Sequence, residues 1–374
     1  MAPPITVYLL KATEYCNLNC PYCYMFNLED QSYKKKPKVM SLEIVRAMAT
    51  KAVNLARQQD VHKLTVSLHG GEPLLAGINW FRSAIEILRR EGEKQQVHFA
   101  FLTQTNGVLL NEKWLNFFES EKFTIGISID GPPEIHNKTR INFSGRGSYK
   151  ETLRGLKLAQ NHPDVLGGVL CVINPNTIGI EIYHHLIDIG ADKIDFLWPL
   201  DHNWNSPPPQ PSCNSSTPYA DYLIPIFNEW WNKDRKFIKI RYFSQLIKNI
   251  LGARGGLDSL GGNPISIISI DSDGSIEPVD SLKACGDGFT NMGLNVLTDP
   301  IERVYEMPLF QAAIAGQTGL CVSCRSCPLH DICGGGYLPH RYSQYNGFDN
   351  PTVYCRDMWK LTTHIIDAVH SAAG

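Results

Sequence analysis

Three cysteines that could hold a metal cluster lie close together near the start of the chain, where Cys16, Cys20 and Cys23 form the pattern C-x3-C-x2-C. Thiolates suit iron–sulfur clusters, and this spacing can wrap three sulfurs around one corner of a cube. Three ligands leave a fourth iron open for a small molecule, as catalytic metal sites keep one position free. Zinc is the alternative, although the spacing and the lack of a fourth nearby ligand fit zinc poorly.

A second group of cysteines lies near the C-terminus, where Cys324, Cys327 and Cys333 form C-x2-C-x5-C and Cys355 follows. Four thiolates could hold either a fully ligated cluster or a structural zinc ion. Cys285 and Cys321 are not part of this pattern. They could hold a differently built cluster, exchange into the existing one, or be plain thiols.

The composition restricts the class of protein. A formal net charge of −2 over 374 residues gives no broad basic surface for nucleic acid or an anionic membrane. The one basic cluster, Lys34–Lys36 with Lys38, is expected to be a solvated loop. No signal peptide or segment of membrane-spanning length is recognised. We therefore predict a cytoplasmic protein without nucleic-acid or membrane partners, whose cysteines favour metal sites over disulfides.

The hydrophobic pattern predicts the elements that position these cysteines. Six short β-rich runs are predicted as strands: Ile5–Leu10, Lys63–Leu68, Val97–Leu102, Thr124–Ile129, Gly168–Ile173 and Ile194–Trp198. Helical periodicity separates them, in a helix capped by Ser41 and in Trp80–Arg90, Asn111–Glu119, Tyr149–Ala159 and Ile178–Ile189. Six strand–helix units imply an α/β fold with a parallel sheet, as a partial TIM-like (β/α)6 barrel that is open on one side.

The order of these elements predicts three regions. Residues 1–218 would form the partial barrel and end in a proline-rich loop or linker, Asn205–Pro218. Residues 219–255 would form a helical linker region that includes an aromatic-rich helix near Tyr219–Asp234. Residues 256–374 are rich in Gly, Cys and Pro with few long periodic runs, and would form a second, cysteine-rich domain.

Polar motifs follow the predicted strands, at the end of the sheet where barrel active sites lie. They are His69-Gly70-Gly71-Glu72-Pro73 after the second strand, Thr103-Gln104-Thr105-Asn106-Gly107 after the third and Ser128-Ile129-Asp130-Gly131 after the fourth. In the fourth strand isoleucines alternate with other residues, so Ser128 and Asp130 would point into the lumen. Taken alone, Gly-Gly-Glu-Pro would be an ordinary turn.

Together, the three-cysteine loop after the first strand and these motifs closely resemble the radical S-adenosylmethionine (SAM) superfamily. The resemblance implies a [4Fe–4S] cluster on Cys16, Cys20 and Cys23, whose open iron chelates the methionyl group of SAM. It also implies residues around that cofactor: Tyr22 against the adenine, Gly70, Gly71 and Glu72 near the methionyl amine, and Thr105, Asn106, Ser128, Asp130 and Arg140 elsewhere around SAM. Ser128 and Arg140 would contact the carboxylate and ribose region, or be only structural.

The C-terminal cysteines resemble part of the SPASM domain, an extension found in radical enzymes that modify peptides. By this resemblance Cys324, Cys327, Cys333 and Cys355 hold an auxiliary [4Fe–4S] cluster. The family's other auxiliary cluster is expected to be absent, because Val279 and Tyr337 stand where its pattern has cysteines. The neighbouring Asp280 is retained, and in the family this aspartate lies near the substrate and can act as a general base. A solvated loop carboxylate is the alternative for Asp280.

The segments Val279–Lys283, Cys333–Tyr342 and Gly347–Cys355 are similar to the cyclophane-forming maturases of ribosomally made peptides. This implies that a 5′-deoxyadenosyl radical removes a hydrogen from the β-carbon of a precursor-peptide residue, which then joins a neighbouring aromatic ring. Asp280 would accept the proton and the auxiliary cluster the electron, with an external donor of flavodoxin or ferredoxin type. His340 and Arg341 would contact the peptide or cluster, or only shape the loop. Thioether formation and sulfatase-type formylglycine formation are the alternatives.

Overall fold

The computed structural model describes residues 2–209, 215–253 and 255–373, so residues 210–214 of the predicted linker lie outside the described residues. Within these ranges the strands are β1 (Val7–Thr13), β2 (Lys63–Gly70), β3 (His98–Thr105), β4 (Phe123–Ser128), β5 (Leu166–Val172), β6 (Lys193–Leu197), β7 (Lys239–Ile240), β8 (Ile267–Ile270), β9 (Ser275–Pro278) and β10 (Leu294–Asn295). The six predicted strands are confirmed as β1 to β6, with shifted ends. The short strands β7 to β10 are additional.

The helices of the same ranges are α1 (Leu42–Gln58), α2 (Ile78–Gln95), α3 (Glu112–Ser120), α4 (Pro133–Thr139), α5 (Tyr149–Ala159), α6 (Gly179–Asp188), α7 (Pro218–Glu229), α8 (Arg241–Ile250), α9 (Pro308–Ile314), α10 (Val322–Arg325), α11 (His330–Cys333) and α12 (Cys355–Ala373). The predicted helices correspond to α1, α2, α3, α5, α6 and α7. The long α12 differs from the prediction of few long elements after Gly255.

Helix α1 shows how the pattern produces these elements. The Ser41 side chain accepts a hydrogen bond from the Ile44 N–H at 3.3 Å, which caps the helix as predicted. Val45, Met48 and Ala52 are fully buried, so the apolar stripe faces the core.

The described chain divides into two compact units. The first contains the residues up to Ser128, Asn137–Gly167 and Ser266–Ile314. Its strands lie in the order β10-β9-β8-β1-β2-β3-β4. Strand β1 pairs in parallel with β2 and with β8, and β9 pairs antiparallel with both β8 and β10. The strand after residue 266 therefore joins the N-terminal sheet beside β1, a pairing that joins distant parts of the sequence.

Strand β4 follows its predicted alternation. Ile125 and Ile127 are fully buried, whereas Gly126 and Ser128 are partly exposed. Strands β1 to β4 are parallel neighbours, which confirms the α/β class with a parallel sheet.

The second unit contains Ile129–His136, Gly168–Ile265 and the described residues from Ala315 onward. Strand β6 pairs in parallel with β5 and with β7. Helices α6, α7, α8 and α12 also belong to this unit. The boundaries of these two units do not coincide with the predicted region boundaries at residues 218 and 255. The predicted division of the chain into three regions stays a prediction. Among the described residues, no helix has both the length and the apolarity that crossing a bilayer requires.

Candidate active site

The three-cysteine loop follows directly from the end of β1. The Cys23 N–H donates to the Cys20 carbonyl at 3.0 Å, and the Phe26 and Asn27 N–H groups both donate to the Cys23 carbonyl. These bonds coil the backbone around the cysteines, whose side chains are all half-buried. The structure therefore brings the predicted ligands together on one compact loop.

Hydrogen-bond donors surround the sulfurs of this loop. The Leu18 N–H donates to Cys16 Sγ at 3.4 Å, and Asn106 Nδ2 lies 3.8 Å from the same sulfur. Burial raises the pKa of Cys23, whereas the backbone N–H groups of Met25 and Phe26 lower it. Backbone donors aimed at sulfur are the usual outer shell of an iron–sulfur cluster. The donor set of three half-exposed thiols with such an outer shell thus fits a cluster with one open iron.

Gly70 and Gly71 pack against the backbone that enters the cysteine loop. A Cβ on Gly70 would lie 2.2 Å from the Thr13 carbonyl oxygen, and one on Gly71 would lie 2.3 Å from the Tyr15 carbonyl oxygen. The Gly71 N–H donates to Thr13 and the Glu72 N–H to Tyr15, each at 3.1 Å. The glycines therefore position the start of the cysteine loop, and their predicted contact with SAM stays a prediction.

A Gly71→Ala variant is expected to lose most of its bound iron, because the new methyl group must displace the Tyr15 backbone beside Cys16. The iron-to-protein ratio after anaerobic purification measures this. Gly145→Ala is the matched control. Its new methyl group would meet no atom within 4 Å, so the substitution only strains a left-handed backbone, at a cost of about 1 kcal/mol. Full iron content in Gly71→Ala would contradict the assigned packing role.

Glu72 joins the ends of β2 and β3. Its carboxylate accepts hydrogen bonds from Thr105 Oγ1 at 2.8 Å, the Asn106 N–H at 2.8 Å and the Leu74 N–H at 3.2 Å. Burial raises the pKa of Glu72 to about 7, although these donors lower it. The Asn106 side chain also donates to Asn17 Oδ1 at 2.8 Å. Three predicted site residues are thus brought together beside the cysteine loop.

The other predicted SAM contacts lie on both units. In the first unit, Ser128 accepts a hydrogen bond from Gln104 at 2.9 Å, and the Arg140 guanidinium lies over the Tyr22 ring at 5.6 Å. In the second unit, the Asp130 carboxylate accepts a hydrogen bond from the Val172 N–H at 3.2 Å. The pairing of Arg140 with Tyr22 places a cation beside the aromatic residue of the cysteine motif. Contacts of these residues with SAM stay predictions.

Asp280 is buried in an ion pair rather than solvated. Its Oδ2 atom forms a salt bridge with Lys11, which is fully buried on β1, and accepts a hydrogen bond from Tyr24 at 2.8 Å. Burial raises the pKa of Asp280, but the Lys11 charge and the hydrogen bonds from Lys11 and Tyr24 hold it well below its usual value. The carboxylate is therefore ionised at neutral pH. Its other oxygen, Oδ1, takes part in none of these contacts.

His69 completes this group. Its Nδ1 atom lies 3.1 Å from Lys11 Nζ and 3.5 Å from Asp280 Oδ2. Burial and then the Lys11 charge lower the pKa of His69 to about 4, so the ring is neutral at neutral pH. Since an ammonium can only donate, Nδ1 accepts from Lys11 and the ring proton is assigned to Nε2.

Lys11 and Tyr24 were not predicted as members of this site, and His69 was predicted only as part of the motif after the second strand. Lys11 carried a usable signal, because a lysine inside the apolar strand Val7–Thr13 must find a buried counter-ion. Its partner could not be identified from the sequence, since Asp280 approaches β1 only through the pairing with β8.

A second buried charge network holds the segment that carries Asp280. Lys283 donates to Asp271 at 3.0 Å and pairs with Glu277 at 2.7 Å. Lys36 pairs with the same two carboxylates. The expectation that the basic cluster is a solvated loop is therefore wrong for Lys36, whose side chain is only 8% exposed. These pairs hold the Asp280 turn and the Lys36 loop together.

The C-terminal cysteines gather in the second unit. The Cys327 N–H donates to the Cys324 carbonyl at 3.2 Å, Cys333 ends α11, and Cys355 begins α12. Burial, with smaller contributions from Cys321, Cys333 and Cys355, raises the pKa of Cys324 to about 12. The predicted ligand set is thus brought together.

Backbone donors also point at these sulfurs. The Leu329 N–H donates to Cys327 Sγ at 3.4 Å. Burial raises the pKa of Cys333 to about 12, and the N–H groups of Gly335 and Gly336 lower it. Both glycines have left-handed backbones, with φ of 77° and 75°. The Gly336 N–H donates to the Cys333 carbonyl at 3.3 Å, so this turn lies against Cys333, which fits a second cluster.

The two unassigned cysteines differ in their surroundings. Cys321 Sγ lies 3.2 Å from Ser323 Oγ and faces Cys324 in the second unit. Cys285 is buried in the first unit, and burial alone raises its pKa. Among the described residues, no three His, Cys, Asp or Glu side chains lie close enough to share one metal ion. Ligands of a cubic cluster each bond a different iron, so cluster sites need not meet that condition.

Known proteins share similarities with this chain. Residues 10–183 match the family model described as the Radical SAM superfamily. The cysteine-type anaerobic sulfatase-maturating enzyme of Clostridium perfringens is 27% identical over 360 residues, 95% of this chain and 94% of that protein. The serine-type enzyme of Bacteroides thetaiotaomicron is 22% identical over 382 residues, 97% of this chain and 90% of that protein.

A solved structure shows the same similarity over the whole chain. Native anSMEcpe with bound AdoMet and Cp18Cys peptide superposes with a TM-score of 0.81 at 25% identity, covering 99% of each chain. The predicted fold class is confirmed: an α/β fold with a TIM-like domain and a cysteine-rich C-terminal region.

Proposed function

We propose that this chain, whose residues 10–183 match the radical SAM superfamily, is a peptide maturase that joins an aromatic ring to the β-carbon of another residue. Radical SAM proteins bind SAM and a [4Fe–4S] cluster, and Cys16, Cys20 and Cys23 would hold that cluster here. Cys324, Cys327, Cys333 and Cys355 would hold an auxiliary cluster. The observation that carries the proposal is the thiol loop at the end of β1, together with the buried ion pair between Lys11 of that strand and Asp280.

The chemistry divides between the cofactors and the protein. When bound, the cluster and SAM supply a 5′-deoxyadenosyl radical that removes a hydrogen atom from the peptide. After the carbon radical has added to the ring, one electron and one proton must leave to restore aromaticity. Loss of that proton from the oxidised ring is strongly favourable, so a weakly basic carboxylate is sufficient to accept it.

Asp280 is suited to receive this proton. Lys11 keeps the carboxylate ionised, while Tyr24 and Lys11 both contact Oδ2 and so fix the orientation of the group. Oδ1 is then the oxygen that would accept the proton. Neutral His69, 3.5 Å from Oδ2, adds no positive charge that would compete with this step.

The product distinguishes this proposal from a second candidate, formylglycine formation. The sulfatase-maturating relatives cover nearly the whole chain and favour that candidate. The crosslink is supported by the C-terminal segments similar to cyclophane-forming maturases, and by Val279 and Tyr337 where the SPASM pattern has cysteines. The relatives named above are sulfatase-maturating enzymes, and the crosslink does not rest on them. Both reactions remove a second electron and a proton, so Asp280 would serve either one.

The experiment is anaerobic incubation of reduced enzyme with SAM and peptides of three kinds. These are precursor candidates rich in Trp, Phe and Tyr from reading frames beside the gene, and sulfatase-type peptides with either Cys or Ser at the target position. We expect the aromatic precursor to lose two hydrogens, to resist fragmentation between two residues and to lack an aldehyde.

Mass alone does not separate the outcomes, because conversion of Ser to formylglycine also removes two hydrogens. An aldehyde-reactive hydroxylamine probe therefore serves as the control. Labelling of the Cys or Ser peptide by this probe, with the aromatic precursor unchanged, would refute the crosslink in favour of formylglycine formation.

A further inference from the structure

Arg341 is a buried cation among the C-terminal cysteines. Arg341 is 5% exposed and is the last residue of the 3₁₀ segment Leu338–Arg341. This segment follows the turn formed by Gly335 and Gly336. The Arg341 guanidinium donates to the backbone carbonyls of Gly319, of Phe348 at 2.8 Å and of Asn350 at 3.1 Å. Carbonyls satisfy the N–H donors but carry no net charge. The positive charge therefore needs a counter-charge from another source.

Most of the ionisable groups near Arg341 are cysteines. Burial lowers the pKa of Arg341, whereas Cys324, Cys321, Cys333 and the exposed Asp349 raise it. Among the described residues, no carboxylate lies within salt-bridge distance of Arg341. A Cβ on Gly335 would lie 3.7 Å from Cys324 Sγ and 3.8 Å from Arg341 Cδ, so the two side chains approach the same point. The cysteine group is thus the buried neighbour that can offset this charge.

We propose that the Arg341 guanidinium offsets the negative charge of the auxiliary cluster on Cys324, Cys327, Cys333 and Cys355 and raises the reduction potential of that cluster. The inference rests on the proposed auxiliary cluster. Four thiolates around a [4Fe–4S] core carry net negative charge, and one-electron reduction adds another. A buried cation stabilises the reduced state more than the oxidised state, so it favours acceptance of an electron.

The test measures the auxiliary cluster by itself. A background with Cys16→Ala, Cys20→Ala and Cys23→Ala removes the N-terminal cluster site, so iron and the reduced-cluster EPR signal report on the C-terminal site. The midpoint potential is then measured by redox titration with mediators. Arg341→Gln should move the potential to more negative values, and Arg341→Lys, which keeps the charge, should move it less. Arg325→Gln is the matched control, because Arg325 lies between two of the ligands but is exposed.

Each outcome is decisive. An unchanged potential in a loaded Arg341→Gln protein would overturn the inference. Iron lost from Arg341→Gln but kept in Arg341→Lys would support it, because charge then decides whether the cluster binds. Loss of iron from both Arg341 variants would overturn the inference. The three hydrogen bonds from Arg341 to backbone carbonyls, and not its charge, would then account for its effect on the cluster site. If the triple-cysteine background binds no iron, the auxiliary site itself is refuted. If the background binds iron and only the Arg341 variants fail to behave as expected, the role of Arg341 alone is refuted.

Discussion

Simultaneous Cys16→Ala, Cys20→Ala and Cys23→Ala replacement is expected to abolish 5′-deoxyadenosine formation while leaving the fold intact. The thiols are half-buried on a loop held by its own backbone hydrogen bonds, so their loss removes ligands without opening a core cavity. Chromatography of acid-quenched reactions with SAM and dithionite measures the effect. We expect a loss to the background rate of SAM decomposition, the largest effect of any change described here.

Iron and sulfide analysis gives this prediction its control. The unaltered protein should bind roughly eight irons per chain and the triple variant roughly four, the content of one [4Fe–4S] cluster. Cys171→Ala removes a buried thiol of β5 that belongs to neither ligand group and should keep both the iron and the activity. Continued 5′-deoxyadenosine production by the triple variant would refute the assignment, and zinc without sulfide in the unaltered protein would refute the cluster itself.

Asp280→Asn is expected to separate SAM cleavage from product formation. The amide cannot accept the ring proton, whereas the three cysteines are unchanged. The variant should produce 5′-deoxyadenosine but little modified peptide, and the ratio of the two products measures this uncoupling. Because Lys11 holds the pKa of Asp280 well below its usual value, the ratio in the unaltered enzyme should stay constant from about pH 6 to 8.

The same substitution also has a structural cost that must be separated from the chemical one. Asparagine leaves the fully buried Lys11 without a counter-ion, and breaking a buried ion pair costs about 3–5 kcal/mol. The double variant Lys11→Met/Asp280→Asn removes both charges and should recover much of that stability in thermal denaturation. The double variant should still produce 5′-deoxyadenosine with little modified peptide. Restored product formation in the double variant would show that Asp280 acts only through the stability of the site.

The pH dependence of stability follows from the direction of the Asp280 shift. Its folded pKa lies below the unfolded value, so the Lys11 pair contributes its full stability above the unfolded pKa and loses it as pH falls toward the folded pKa. The loss therefore belongs to strongly acidic solution and does not affect assays near neutral pH.

The fold of the N-terminal half was predictable because its elements are local and periodic. The apolar stripe of α1 and the isoleucine alternation of β4 each identify their element, and Ser41 marks a helix start by its capping hydroxyl. The ends of β1 and β3 were less predictable, because the strands continue into polar residues whose partners lie on neighbouring strands.

The candidate site was predictable only in part, for a related physical reason. Cys16, Cys20 and Cys23 form a local pattern with a chemical meaning of its own. The Lys11–Asp280 pair joins residues that are far apart in the sequence, and only the pairing of β8 with β1 brings them into contact. Lys36 looked like part of a solvated loop for the same reason, since its carboxylate partners lie on and before β9.

Following a deuterium atom from the peptide tests the proposed hydrogen abstraction directly. A precursor candidate with deuterium on the β-carbons of the residues near its aromatic rings is incubated anaerobically with enzyme, SAM and reductant. We expect 5′-deoxyadenosine to gain one deuterium while the peptide forms a ring-to-β-carbon bond. Modified peptide accompanied by unlabelled 5′-deoxyadenosine would contradict the proposed abstraction, because the hydrogen would then have come from another position.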